Sequence, residues 1–301
     1  MQGLKKKIEA AGIHVTEHES MAKHTTLHLG GPADLFCQPQ TEDQIQFLLK
    51  LCTQEGIEPV IIGHGSNLLV LDGGIRGIVI QCAVTSVELE DNRLTAGAGV
   101  MLHTLARRAA EESLSGLEFA SGIPGTLGGA VYMNAGAYGG EMADVIESIR
   151  ALTMQGDVCT LNRSELAFRY RYSALQERPL VMTQAVCVLK KGDRQTIAGY
   201  MEELQQKRTE KQPLQYPSAG STFKRPEGAF AAKLIDDCGL RGTWVGGAQV
   251  SEKHAGFLLN RGGTSADFLA LMELVRERVR SETGIVLEPE VRILGTSLAG
   301  Q

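Results

Sequence analysis

No apolar run in this 301-residue chain is long enough to cross a membrane. The lysines of the N-terminal MQGLKKKIEAAG are not followed by the apolar core of a signal peptide. The cysteines at 37, 52, 82, 159, 187 and 238 form no C-x-x-C pair, so reduced thiols and a cytoplasmic location are expected. The seven histidines fall into no H-E-x-x-H or comparable spacing, and no structural metal is expected. Positive charge is not in excess: the formal net charge is −5. That gives no support to a nucleic-acid or membrane-surface partner. A phosphate-binding G-x-x-x-x-G-K-[ST] loop is missing, and there is no internal repeat or low-complexity segment.

What the chain has in plenty is glycine, 35 residues in all, within an otherwise ordinary soluble composition of 43% hydrophobic and 22% charged residues. Seven of the glycines lie in the 21 residues from Ser121 to Glu141, SGIPGTLGGAVYMNAGAYGGE. Each glycine costs a helix about 0.8–1 kcal/mol against alanine, which argues for a tightly folded loop here. The interleaved Ile123, Leu127, Val131, Tyr132 and Met133 argue against a flexible linker. Such a loop is either a buried glycine-rich turn or a place where backbone N–H groups approach an anion.

A second cluster, Gly63-His64-Gly65-Ser66-Asn67, lies between two strand patterns, Ile57–Ile62 and Leu68–Leu71. A dinucleotide fingerprint needs a helix after such a cluster, so the Rossmann reading is weak. A hairpin turn and a pyrophosphate-facing loop both remain open.

Elsewhere the periodicity predicts helices over 4–11, from Thr41 to Gly56 (with Thr41 and Gln44 as a capping box), 101–112, 193–211, 228–237 and 265–282. In the last of these, Phe268, Leu271, Met272, Val275 and Val279 share one face. Residues 24–38 read as strand, turn, strand; 146–161 read as a hairpin; 180–191 and 285–294 read as strands. Phe168-Arg169-Tyr170-Arg171-Tyr172-Ser173 is either a surface strand with cation–π stacking or a rigid mount for a carboxylate-gripping arginine. Arg208 and Lys211 make a solvated basic patch or a diphosphate grip. Ser221, in a small-residue turn, reads as a cap, and Glu288-Pro-Glu290-Val-Arg292 as a charged strand face.

In this order and spacing, LGGPAD (29–34), GSNLL, SGIPGTLGGAVYMNAGAYG, FRYRYS, KRTEKQP, AGSTFK, VGGAQVSEKHAGFLLN and LEPEVRILG (287–295) resemble the UDP-N-acetylenolpyruvoylglucosamine reductase family. The resemblance runs over nearly the whole chain. It implies an α+β fold, with two αβ subdomains (1–82 and 83–205) forming an FAD-binding unit of the vanillyl-alcohol-oxidase type. A C-terminal α+β substrate-binding domain (206–301) follows.

It implies an NADPH-dependent reduction of a UDP-sugar enolpyruvyl ether through non-covalently bound FAD, in peptidoglycan precursor synthesis. FAD contacts carry over to Gly63, Gly65, Ser66, Asn67, Ser121, Gly122, Pro124, Gly125, Thr126, Gly128 and Gly129. Arg171 becomes the carboxylate grip, Ser221 the proton donor, and Glu290 the acidic catalytic residue. Tyr138, Arg208, Lys211, His254 and Arg292 become substrate contacts. Nothing between Ser173 and Lys207 matches the Tyr-bearing insertion of some members, so the chain resembles the compact subclass. Arg225 stands where other members can carry Asn. Two rival readings are another FAD oxidoreductase of the same fold acting on a sugar or lactone, and a flavin-free protein that binds sugar nucleotides.

Overall fold

A computed structural model describes residues 1–298. The chain divides into two units: residues 1–17, 35–64 and 77–208 form the first, and 18–34, 65–76 and 209 onward form the second.

The first unit holds helices α1 (Gln2–Ala10), α2 (Glu42–Glu55), α3 (Leu102–Glu111), α4 (Leu127–Met133) and most of α5 (Arg194–Lys211). The Thr41 hydroxyl caps α2 by accepting from the Gln44 amide, and Gly56 ends it in a left-handed turn. The other half of the expected capping box is displaced by one residue, because the Gln44 carboxamide oxygen accepts from Gln40 rather than from Thr41. A five-stranded antiparallel sheet runs in the order Val158–Asn162, Ile146–Thr153, Leu180–Val188, Arg93–Gly97, Val87–Glu90. Its first two strands are the expected hairpin. One continuous core joins this sheet to α2, α3 and α4, with Ile45, Leu48, Leu105, Leu127, Ile149 and Ala185 all buried. Val60–Ile62 pairs in parallel with Ile75–Gln81 at the edge of a second sheet.

The glycine-rich stretch departs from expectation. Leu127–Met133 is a helix, although Gly128 and Gly129 lie in it. Packing outweighs propensity there. A methyl group on Gly128 would lie 3.0 Å from the Ala98 Cβ and 3.2 Å from the Ala98 carbonyl oxygen, tighter than ordinary contact, so glycine eases the close approach of the helix start to this chain. The Leu127 and Gly128 amides donate to the Val100 and Ala98 carbonyls at 2.8 and 2.9 Å, which fixes the approach.

The second unit builds its core from three passes of the chain. Leu27 and Leu29 come from the first, Leu69 and Leu71 from the second, and Phe223, Ile235, Leu258 and the face of α7 (Ser265–Thr283) from the third, with α6 (Ala231–Asp237) beside it. All five apolar residues of the α7 stripe are buried. A capping box between Thr264 and Asp267 opens that helix, and Gly284 closes it. Ser218–Ser221, Phe257–Asn260, Ala248–Val250 and Trp244–Val245 form an antiparallel sheet in that order. Leu68–Val70 pairs in parallel with Arg292–Leu294.

The strand expected before Gly30 does not form: a 3-10 turn, Met21–His24, ends where it would begin, and residues 25–29 continue as a turn and loop. The chain does not extend there because the His28 amide donates to the Thr25 carbonyl at 3.1 Å, the Thr25 hydroxyl donates to the Leu29 carbonyl at 2.9 Å, and His28 takes φ 53°. The closing strand shrinks to Arg292–Leu294, and the helix expected from 228 begins at Ala231. Residues 299–301 of the expected substrate domain lie outside the described residues.

Candidate active site

In the first unit, Gly63 and the Ser121–Gly129 segment meet. A Cβ on Gly63 would lie 2.3 Å from the Thr126 hydroxyl oxygen and 3.8 Å from the Gly129 amide nitrogen. Thr126 is 7% exposed, and among the described residues its hydroxyl is the one buried side-chain polar atom without a hydrogen-bond partner. Buried polar groups are nearly always paired, so an orphan facing a glycine marks a place for a polar ligand atom. Ser121 donates its hydroxyl to the Glu118 carbonyl at 2.8 Å. Gly125 accepts from Leu102, which pins the turn that carries exposed Pro124. Gly122 faces the side chain of Arg208. Burial pushes the Arg208 guanidinium below its ordinary pKa, and the neighbouring Tyr138 opposes the shift. Tyr138 itself stands in a left-handed conformation, φ 52°, at the tip of a two-stranded ribbon (Gly136–Ala137 with Gly140–Glu141).

Arg171 sits in a tight turn rather than a surface strand. Arg169 and Tyr172 exchange both backbone hydrogen bonds, at 3.1 and 3.0 Å, and Arg171 takes φ 55° at the tip. Its guanidinium lies over the Tyr170 ring at 5.0 Å, and Arg169 covers Tyr172 at 3.9 Å.

In the second unit, hydrogen bonds gather Asn67, Ser221, Glu290 and Arg292. Ser221 ends its strand after a bulge, where the pairing slips between Ser218 and Ser221 and Gly220 takes φ 75°. The next residue, Thr222, accepts from the Glu290 amide at 2.8 Å. Asn67 donates its carboxamide to the Glu290 carbonyl at 3.0 Å, and its own carbonyl accepts from the Arg292 amide at 3.0 Å. Gly65 and Ser66 are backed by Thr26, whose amide donates to the Gly65 carbonyl and whose hydroxyl reaches the Ser66 and Ser218 carbonyls. His254 stacks edge-on against Phe257, the cross-strand partner of Ser221. Burial lowers its pKa, and the Gly256 amide donates to its Nδ1. Lys211 is exposed at the end of α5.

Comparison with known proteins fits this arrangement. Residues 33–162 match a model described as an FAD binding domain, and 212–294 match one described as UDP-N-acetylenolpyruvoylglucosamine reductase, C-terminal domain. The enzyme of that name from Lachnoclostridium phytofermentans is 50% identical over 289 residues, 93% of this chain and 93% of its own. The chain belongs to the UDP-N-acetylenolpyruvoylglucosamine reductase family. The Clostridioides difficile reductase is 48% identical over 92% of each chain. The crystal structure of the Thermus caldophilus reductase superposes with a TM-score of 0.81 at 35% identity, covering 94% of this chain and 99% of that one.

The α+β fold expected for the UDP-N-acetylenolpyruvoylglucosamine reductase family is therefore present, and FAD is its cofactor. The residues fit that cofactor: an unpartnered Thr126 hydroxyl faces Gly63, where any side chain would fill the space. Among the described residues, no group of three or more His, Cys, Asp or Glu can hold a metal ion. Nor is any helix there long and apolar enough to cross a membrane.

Sequence reasoning missed two supporting residues. Asn134, fully buried, donates to the Arg169 carbonyl and accepts from the Ala143 amide. Gln176 donates to the Arg171 and Tyr132 carbonyls. Asn134 had a legible signal, an asparagine directly after an apolar run, which suits a left-handed helix end. Gln176 had none.

Proposed function

We propose that the protein reduces UDP-N-acetyl-3-O-(1-carboxyvinyl)-glucosamine to UDP-N-acetylmuramate in peptidoglycan precursor synthesis, with NADPH as the hydride source. What carries this reading is the 50% identity to a named reductase over 93% of both chains. When bound, FAD would supply the two-electron chemistry by which NADPH reduces the alkene. On the protein side, Gly63, Gly65, Ser66, Asn67 and the Ser121–Gly129 segment hold it without a covalent bond, and Thr126 contributes a hydroxyl. We place the protein in the cytoplasm, a reading supported by six cysteines that are all free thiols. We divide the chain as 1–82 and 83–205 for FAD and 206–301 for the substrate.

The substrate, CH2=C(OR)–COO⁻, gains hydride at its CH2 carbon and a proton at C2 to give CH3–CH(OR)–COO⁻. Negative charge builds on C2 and the carboxylate before the proton arrives. Arg171 grips the carboxylate and stabilises that charge, an effect of the kind worth about 3–4 kcal/mol for one well-placed donor. The Ser221 hydroxyl delivers the proton to C2. Serine is a weak acid, so its effectiveness depends on aim, which the Gly220 bulge supplies. Glu290 aids Arg171 in stabilising that negative charge, and its backbone is tied to Thr222 and Asn67. Tyr138, Arg208, Lys211, His254 and Arg292 contact the substrate, with Arg208 and Lys211 holding its diphosphate.

Ser221→Ala tests the assignment. NADPH should still bleach the flavin of the variant, while the enolpyruvyl sugar should reoxidise it at least 100-fold more slowly, about the least that general acid catalysis contributes. Reoxidation at the wild-type rate would remove Ser221 from the reaction. Rapid oxygen consumption with a simple sugar or lactone would instead indicate an oxidase of the same fold.

A further inference from the structure

We infer that Gln176 is a positioning residue for Arg171: it holds in place the left-handed turn from which that guanidinium projects. The inference rests on the reading of Arg171 as the carboxylate grip.

A carboxamide nitrogen carries two hydrogens, and those of Gln176 are both spent. One goes to the Arg171 carbonyl at 3.0 Å and the other to the Tyr132 carbonyl at 2.9 Å. Tyr132 lies in the last turn of α4, so the side chain is a strut between that helix end and the tip of the turn. The same Tyr132 carbonyl accepts the hydroxyl of Ser173, which is fully buried. Gln176 is itself anchored by the 3-10 turn Ala174–Gln176, where the Ala174 amide donates to the Leu166 carbonyl at 2.7 Å.

The turn needs such a strut. Arg171 has φ 55°, a conformation that strains any residue with a Cβ and persists only when its surroundings enforce it. Within the turn, the bonds between Arg169 and Tyr172 close the hairpin but leave the Arg171 carbonyl to Gln176. Asn134 holds the other end through the Arg169 carbonyl. Gln176 is the cleaner probe, because Asn134 also ends α4 and bonds Ala143. A two-pronged arginine–carboxylate contact tolerates little misalignment, and a shift of about 1 Å costs on the order of 100-fold in rate.

The experiment uses the FAD-loaded enzyme carrying Gln176→Met, which keeps the length of the side chain and removes its donors. NADPH should reduce the flavin at the wild-type rate. Reoxidation by the enolpyruvyl sugar should slow about 100-fold in its limiting rate, with little change in apparent KM. Hydrogen exchange at the Tyr172 amide should quicken. The double variant Gln176→Met/Arg171→Ala should be no slower than Arg171→Ala alone, since both losses pass through one guanidinium.

Gln176→Glu is a second variant of the same size, and the inference stands if either folded variant shows this pattern. Wild-type reoxidation by every variant that folds overturns it. So does an additive double variant, or the failure of both variants to fold, because a strut local to one turn leaves the core intact. If Arg171→Ala alone reoxidises at the wild-type rate, it is the reading of Arg171 that falls. If Arg171→Ala is slow and Gln176→Met is normal, only the role of Gln176 falls.

Discussion

Replacing Thr126 by Val should stabilise the FAD-free protein and weaken its hold on FAD. Both effects have one cause. The Thr126 hydroxyl is buried without a partner, next to the space that Gly63 leaves open. Leaving a hydroxyl in that state costs about 1–3 kcal/mol, and a cofactor atom that pairs with it recovers that amount. Valine has the same shape and no hydroxyl, so the cost and the recovery disappear together. The FAD dissociation constant should rise about 5- to 150-fold, taking about 1.4 kcal/mol per factor of ten. The melting temperature of the FAD-free protein should rise by about 2–4 °C for each kcal/mol. Apoprotein stripped of flavin, titrated with FAD by fluorescence and melted by differential scanning fluorimetry, reads both numbers. Thr126→Ser keeps the hydroxyl and should stay within a few-fold of the wild-type affinity. An unchanged dissociation constant for Thr126→Val, or a lower melting temperature of its apoprotein, would refute the reasoning.

Two further outcomes follow from the second unit. Gly220→Val forces an L side chain into φ 75°, at a cost of about 1–2 kcal/mol, and turns the Ser221 hydroxyl away. Flavin bleaching by NADPH should survive while reoxidation by substrate slows, and stopped-flow traces showing both steps at wild-type speed would separate the bulge from the chemistry. Burial holds the His254 imidazole below its ordinary pKa of 6.5, and the Gly256 amide, donating to Nδ1, favours the neutral ring with its proton on Nε2. The unfolded chain therefore takes up a proton that the folded chain resists. This contribution to stability is complete above pH 6.5 and shrinks as the pH falls from there towards the lower folded value. His254→Gln should flatten the pH dependence of the urea midpoint in that window, and parallel curves would assign the slope to other groups.

The sequence was most legible where the signal is local and repeats. The apolar stripe of α7 and its glycine end were readable, because helix period and capping act within a few residues. The glycine-rich stretch was read as a tightly folded loop, and it contains a helix, Leu127–Met133. The reason for helix there is the carbonyls of Ala98 and Val100, which come from a distant part of the chain. The turn at Arg171 was ambiguous for a similar cause: its left-handed tip is held by Gln176 and Asn134, neither of which looks functional in sequence. The second unit was the least legible. Pairing of Leu68–Val70 with Arg292–Leu294 is parallel and spans more than two hundred residues, and nothing in either segment names the other.

That distant pairing bears on how the protein is made. The first unit has all its residues once Arg208 is synthesised, and can fold while the rest of the chain is still being translated. The second cannot. Its core waits with Leu27, Leu29, Leu69 and Leu71 in place until α7 and the strand Arg292–Leu294 have left the ribosome. A gene fragment beginning at Thr209 would encode the whole four-stranded antiparallel sheet and both helices yet lack the leucines that close them. The C-terminal region is therefore not a portable module, and it cannot be exchanged between relatives without taking two short stretches from near the start of the gene.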